Sequence, residues 1–186
     1  MKGSNRLGRS IAAAALAATA IGVLSQPAVA GPPAPEVPAE IAVEAGNKVF
    51  LVGHAVGVQI YRCNAIGDAF AWRLLAPRAD LYDDQGKVIA THDAGPSWRS
   101  TDGSTVVGRR EAGVPVAGTI DWLLLSATPT DGPVDGRLAG TTFIQRVATS
   151  GGVIPAAAEC HAGTVGTVDE VPYTADYYFW KQTGRG

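Results

Sequence analysis

The sequence of 186 residues lacks several patterns that usually reveal an activity. Its one Gly-x-Gly lies at residues 184–186, so the Gly-x-Gly-x-x-Gly turn of dinucleotide-binding folds is absent. The His-Glu-x-x-His spacing of zinc peptidases and the Gly-x-Ser-x-Gly turn of serine hydrolases are absent as well. These absences argue against all three chemistries. The chain also contains only two cysteines and three histidines, so few residues could carry redox or metal chemistry.

Long apolar runs are also scarce, because the sequence has a single one, at residues 11–24. Lys2, Arg6 and Arg9 precede it, and the small-x-small sequence Ala28-Val29-Ala30 follows. A run of this length is short for a membrane span, which needs about 20 residues. The pattern predicts a cleavable secretory signal over residues 1–30, rather than a retained membrane anchor, and therefore a secreted or extracytoplasmic protein.

The charge balance disfavours two classes of partner. Three of the 15 Lys and Arg residues and none of the 17 Asp and Glu residues lie in the predicted signal. Its removal leaves 12 basic and 17 acidic residues, a net charge of −5. An acidic domain gains nothing from phosphate backbones or anionic lipid surfaces, so we expect no nucleic-acid partner and no membrane span after cleavage.

Glycine and proline are abundant, at 23 and 12 residues, while 46% of the chain is hydrophobic. This combination disfavours both long helices and disorder. Four prolines within residues 31–38 predict an extended arm over residues 31–47. Residues 48–186 are predicted to form a single all-β domain, an antiparallel sandwich or barrel of about nine short strands. The predicted strands are 48–52, 56–63, 69–75, 79–83, 87–91, 105–109, 119–127, 141–149 and 173–180.

The two cysteines, Cys63 and Cys160, both lie in the part that would be exported to an oxidising compartment. We therefore expect one disulfide between them, in preference to two separate thiols or a metal-binding pair. In the last predicted strand, alternation places Tyr173, Tyr177 and Phe179 on one face. That row is expected either to pack in the core or to lie exposed at a sheet edge.

Six blocks of sequence resemble a family of exported bacterial, fungal and plant proteins known as domain of unknown function 3455. The blocks are GHAVGVQIYRC at 53–63, THDAGPSW at 91–98, DGS at 102–104, DWLL at 121–124, IQRV at 144–147 with the following GG, and VPYTADYYF at 171–179. The resemblance covers residues 49–181 and implies a secreted single domain without an established activity. The malate dehydrogenase label of some fungal members finds no support here, because the dinucleotide-binding turn is missing.

The candidate site residues lie at predicted strand ends and in loops, where sites are usually built. His54 and His92, with Asp93, are weak candidates for binding a zinc or copper ion, and the alternative is that they satisfy backbone groups of turns. Trp98 is predicted to lie in a loop and to stack on a sugar or a partner. Asp121 lies in an apolar predicted strand, where Arg146 could be its partner in a structural or catalytic pair.

Two functions remain open on the sequence. The first is a secreted, disulfide-bonded module that binds a polysaccharide or another cell-envelope component through His54, His92, Asp93 and Trp98. The second is a secreted metal-dependent or glycan-active enzyme that uses the two loop histidines with Asp121 or Asp102. The distance between His54 and His92 discriminates between them, because an enzyme of this kind needs both imidazoles in one pocket.

Overall fold

The computed structural model describes residues 31–128 and 130–184, and its central feature is one closed antiparallel barrel. The strands are β1 (Asn47–Ile66), β2 (Ala69–Tyr82), β3 (Val88–Asp93), β4 (Ser97–Ser100), β5 (Thr105–Val114), β6 (Trp122–Ala127), β7 (Thr141–Gly151) and β8 (Val168–Gln182). They are arranged in chain order, and β8 pairs with β1 to close the barrel. Helical structure in the described ranges is limited to 3-10 turns, and no helix there is long and apolar enough to cross a membrane. The predicted all-β class is confirmed, and the architecture is the barrel.

The described residues form eight strands, close to the predicted number of about nine, but two pairs of predicted strands are merged. The segments 48–52 and 56–63 are one strand, β1, and 69–75 and 79–83 are one strand, β2. Gly53 lies within β1, and the side chain of Leu81 packs closely over it, where a Cβ atom would lie 2.8 Å from Leu81 Cδ2. Pro77 is tolerated within β2 because it lies close to a register shift in the β1–β2 ladder. Strand β4 was not predicted, since its four residues lie between two turns.

The barrel interior is filled by side chains from alternate positions of the strands. In β8 the interior row consists of Tyr173, Ala175, Tyr177 and Phe179, all buried. The aromatic row predicted from alternation therefore belongs to the core and is not an exposed edge. At one end the interior is sealed by Leu138, which comes from the segment between β6 and β7 and is fully buried.

The other end of the barrel, where the β3–β4 turn lies, carries a projecting hairpin. Strands β1 and β2 remain paired as far as Ile66 and Ala69. A second apolar cluster lies on this hairpin and contains Tyr61, Cys63, Trp72 and Cys160. The predicted disulfide between Cys63 and Cys160 is present and joins the hairpin to the segment before β8.

The proline-rich segment 31–47 packs on the outer surface of the barrel. It contains a 3-10 turn, Ala39–Ile41, and the Ile41 side chain is completely buried. The Ile41 carbonyl accepts a hydrogen bond from Gln145 Nε2 on β7 at 2.7 Å. The neighbouring Ile144 belongs to the interior core, so Gln145 faces outward beneath this segment. The predicted signal at residues 1–30 lies outside the described residues.

Candidate functional site

A cavity of about 450 Å³ opens at the end of the barrel where the β3–β4 turn lies. We call it the mouth cavity. Its polar lining consists of Gln59, His92, Arg110 and Arg146, and its apolar lining includes Leu74, Leu75, Pro77, Pro96, Leu123 and Leu125. Each of the four polar residues comes from a different strand, β1, β3, β5 or β7. The closed sheet therefore brings together side chains that are distant in the sequence.

Gln59 is the most unusual residue of the cavity, because its amide is buried without a full set of partners. Alternation along β1 places Gln59 on the same face as Ala55 and Tyr61, and its side chain is only 2% exposed. Its Nε2 atom has no hydrogen-bond partner among the described residues. An unpaired buried donor typically costs about 1–3 kcal/mol. The group is therefore expected to meet a ligand or a water molecule in the cavity.

His92 contributes a neutral imidazole to the cavity. Its Nδ1 lies 2.9 Å from the carbonyl oxygen of Ser97, which can only accept, so Nδ1 carries the proton. Its ring stacks on Trp98 with centroids 4.4 Å apart and meets Tyr177 edge-on. Burial is the main cause that lowers the pKa of His92, to about 4. The imidazole is therefore uncharged at neutral pH, with Nε2 as a hydrogen-bond acceptor.

The two arginines of the cavity differ in how their charge is balanced. Arg110 Nη2 lies 3.2 Å from Asp121 Oδ2 and forms an ion pair. Arg146 donates from Nε and Nη2 to the backbone oxygen of Asp121, at 3.0 and 2.8 Å. No carboxylate pairs with Arg146 among the described residues. Arg146 is the partner of Asp121, as predicted, but it binds the backbone oxygen of Asp121 and not the carboxylate. The positive charge of Arg146 therefore stays uncompensated.

The positive charge of Arg146 acts on the interior of the barrel. Burial raises the pKa of Tyr61 and Tyr177, and the nearby guanidinium works in the opposite direction on both. The same charge also lowers the pKa of His92, after burial as the main cause.

The two candidate histidines do not share a site. His54 lies on the outer face of β1, with Nδ1 2.7 Å from Asp176 Oδ1 and Nε2 2.9 Å from Asp84 Oδ1. The hydrogen bond to Asp84 and then that to Asp176 raise the pKa of His54. His92 points into the barrel, on the opposite face of the sheet. In the chain as far as it is described, no group of three His, Cys, Asp or Glu side chains is arranged to hold a metal ion.

The prediction that Trp98 lies in a loop is wrong. Trp98 is on β4 and is 1% exposed, in contact with His92, Tyr177 and Phe179. The turn between β3 and β4 is short, with Gly95 at a φ of 126°, so the strand resumes at Ser97. A buried Trp98 cannot stack on a polysaccharide chain. Its ring instead stacks on the imidazole of His92.

The remaining candidates lie near the mouth cavity but play different parts. Asp93 is exposed at the end of β3, where Thr91 Oγ1 donates to its carboxylate at 3.3 Å. Asp121 precedes β6 and is not buried in an apolar strand as predicted; its carboxylate pairs with Arg110. Gln59 was missed. Its position two residues before the buried Tyr61 is a signal in the sequence that could have placed it inside the barrel.

Fold and site together define a single-domain, disulfide-bonded, all-β barrel with a polar cavity at one end. A family model described as "Protein of unknown function (DUF3455)" matches residues 44–181. Since the match covers most of the sequence, the chain belongs to this family, in agreement with the resemblance noted above. Comparison with curated proteins and with solved structures gives no match.

Proposed function

We propose that this protein is an extracytoplasmic binding module whose ligand occupies the mouth cavity. The observation that carries the proposal is Gln59, which lines an open cavity and whose buried Nε2 is a donor without a partner among the described residues. The predicted export signal and the disulfide support an oxidising compartment outside the cytoplasm. A cell-envelope component is the expected source of the ligand.

The geometry of the cavity favours binding of a small molecule. Its volume of about 450 Å³ lies within the ~300–1,000 Å³ usual for small-molecule sites. Such sites combine mainly apolar walls with a few convergent polar groups, and barrel mouths are a common location for them. Leu123 and Leu125 provide the apolar wall, while Gln59, His92 and Arg146 provide the polar groups. Side chains fill the interior of this eight-stranded barrel, so the room for a ligand lies at its mouth.

The enzyme hypothesis receives less support from the same geometry. A metal-dependent or glycan-active enzyme built on both histidines requires their imidazoles in one pocket. His54 is engaged with Asp84 and Asp176 on the outer face of β1, while His92 points inward. We therefore favour binding over catalysis.

The proposal is tested with the neutral fluorophore N-phenyl-1-naphthylamine, whose emission rises in apolar sites. We expect saturable binding, weakened several-fold by Leu74→Gln, because Leu74 lines the cavity and is 52% exposed. The matched control is Val56→Gln, at a side chain that is 56% exposed on the outer face of β1 and does not line the mouth cavity.

Nuclear magnetic resonance locates the bound probe. On addition of the fluorophore to ¹⁵N-labelled protein, the side-chain amide signals of Gln59 should shift, while those of Gln182, outside the mouth cavity, should not. Equal weakening by both substitutions, or an unmoved Gln59 signal, would contradict binding in the mouth cavity.

A further inference from the structure

We infer that the ligand of the mouth cavity is an amphipathic anion whose charged end is held by Arg146 and Gln59. The inference rests on the proposed function and names the chemical class of its ligand. Among the polar groups of the cavity, Gln59 Nε2 is a donor without a partner among the described residues and His92 Nε2 is an acceptor, while the one uncompensated charge, on Arg146, is positive. A carboxylate attached to an apolar body is the simplest molecule that matches this arrangement.

Arg146 is held in place by a neutral group, which leaves its charge available. Its Nε and Nη2 bond to the Asp121 carbonyl oxygen, so the guanidinium is oriented without being neutralised. The Asp121 carboxylate is paired with Arg110 instead. A cation in a partly enclosed site attracts an anion more strongly than one in open water, because the effective dielectric is lower. The remaining guanidinium donors can bind a carboxylate oxygen.

Gln59 adds a second donor to the cavity. Its side chain packs against Gly152, where a Cβ atom would lie 3.1 Å from Gln59 Cγ and 2.9 Å from Tyr173 Cβ. Gly152 also has a φ of 71°, a conformation that favours glycine. The close approach holds the Cγ of Gln59 against the backbone of Gly152, and the amide can still rotate about the Cγ–Cδ bond. Its N–H, which has no partner among the described residues, is therefore available to an acceptor on the ligand.

The remaining polar groups of the cavity are His92 and Arg110, and Arg110 disfavours a cationic ligand. His92 is neutral and presents the lone pair of Nε2, so it does not compete with Arg146 for the anion. A cationic ligand would meet Arg110 and Arg146 together, which is unfavourable. The apolar body of the ligand fits against Leu123 and Leu125 in the wall and Leu74 and Leu75 at the rim.

The experiment compares three probes that share one eight-carbon chain: octanoate, octan-1-ol and octylammonium. Each is titrated against protein loaded with N-phenyl-1-naphthylamine at pH 7, and displacement gives its affinity. We expect octanoate to bind at least about tenfold more tightly than octan-1-ol, the usual gain from a charge-assisted hydrogen bond. Octylammonium should bind more weakly than both.

Two variants connect that selectivity to the proposed residues. Arg146→Gln and Gln59→Met should each reduce the affinity for octanoate more than that for octan-1-ol, so that the ratio of the two affinities falls. The control Arg78→Gln removes the same charge from an outer-face arginine paired with Glu170, and it should keep the selectivity. Gln59→Met removes an unpaired donor without creating a new one, so it decides the question even if Arg146→Gln fails to fold.

The outcomes separate this inference from the proposal beneath it. Displacement of the fluorophore by octan-1-ol as readily as by octanoate overturns the anion and leaves the binding module intact. Selectivity for octanoate that survives in Gln59→Met and in a folded Arg146→Gln overturns the assignment of the residues. Failure of the fluorophore and of all three probes to move the Gln59 amide signals overturns both.

Discussion

Two glutamines of this barrel are almost fully buried, and they lie in opposite kinds of surroundings. Gln145 faces outward beneath segment 31–47 and is 1% exposed; Gln59 faces the mouth cavity and is 2% exposed. Gln145 Nε2 donates to the Ile41 carbonyl at 2.7 Å, and its Oε1 accepts from Trp180 Nε1 at 2.9 Å. Gln59 Nε2 has no partner among the described residues.

This difference separates a structural polar group from one available for binding. A buried amide that bridges two other buried groups holds parts of the chain together, and its loss leaves those groups unpaired. A buried amide with a spare donor at an open cavity contributes little to the folded state, and it is positioned for a ligand. Burial alone would not have distinguished the two residues. Four predictions test the contrast.

The largest change in stability is expected from loss of the disulfide, which joins the β1–β2 hairpin to the segment before β8 at the end of the barrel where the mouth cavity lies. Replacing both Cys63 and Cys160 with alanine should lower the free energy of unfolding by up to about 4–5 kcal/mol, because the bridge closes a loop with a separation of 97 residues. Urea unfolding measures the change. Hydrogen exchange should increase more in residues 152–167 than in residues 31–47, and an equal increase would contradict a local role at the mouth.

The next largest effect is a loss of stability at acidic pH, which we attribute to His92. The unfolded chain takes up a proton at His92 near pH 6.5, and the folded chain only near pH 4. The free energy of unfolding should therefore fall by about 3 kcal/mol in total as the pH decreases through this interval. Urea unfolding at several pH values measures it.

A matched pair of histidine variants isolates this acid effect. His92→Phe should abolish the decrease attributed to the buried imidazole. His54→Asn should not abolish it, because the raised pKa of His54 stabilises the fold at low pH and loses that effect as the pH rises through the folded pKa. An unchanged pH profile in His92→Phe would show that other groups cause the acid sensitivity.

The third prediction tests the satisfied glutamine. Gln145→Leu leaves the Ile41 carbonyl and Trp180 Nε1 without partners, and each orphaned group costs roughly 1–3 kcal/mol. We expect a loss of about 2 kcal/mol or more in urea unfolding, with no change in binding at the mouth cavity. A loss close to zero would mean that segment 31–47 adds nothing to stability through this residue.

The smallest effect is expected at the other glutamine. Gln59→Leu should not lower the free energy of unfolding, because the variant loses a donor that had no partner among the described residues. The same urea experiment measures it beside Gln145→Leu. If Gln59→Leu destabilises the protein as much as Gln145→Leu does, the contrast between the two regions fails.

Local patterns in the sequence predicted much of the fold. Alternation in residues 173–180 grouped Tyr173, Tyr177 and Phe179 on one face of β8, and the two cysteines in a chain predicted to be exported indicated the disulfide. Both inferences rest on short-range periodicity or on a single possible pairing. The missed strand β4 has only four residues between two turns, too few for alternation to be recognised.

The candidate site was less predictable, because it depends on how distant strands meet. Arg146 on β7 and Gln59 on β1 line the same cavity only after β8 closes the barrel between them. The register of these ladders also shifts, between Ile60 and Tyr61 and between Val147 and Ser150, so the residues that face each other across neighbouring strands cannot be counted from the sequence. The histidines drew attention because of their chemistry, while the unpaired amide and the unpaired charge became visible only in three dimensions.

The closure of the barrel has a consequence for the order of events during folding. The seam that closes it joins the first strand to the last, with Asn47 opposite Gln182. Contacts between residues so far apart in the sequence slow folding to the range of milliseconds to seconds. A ribosome must therefore release nearly the whole chain before the seam can form. The barrel therefore cannot close while the chain is still being synthesised.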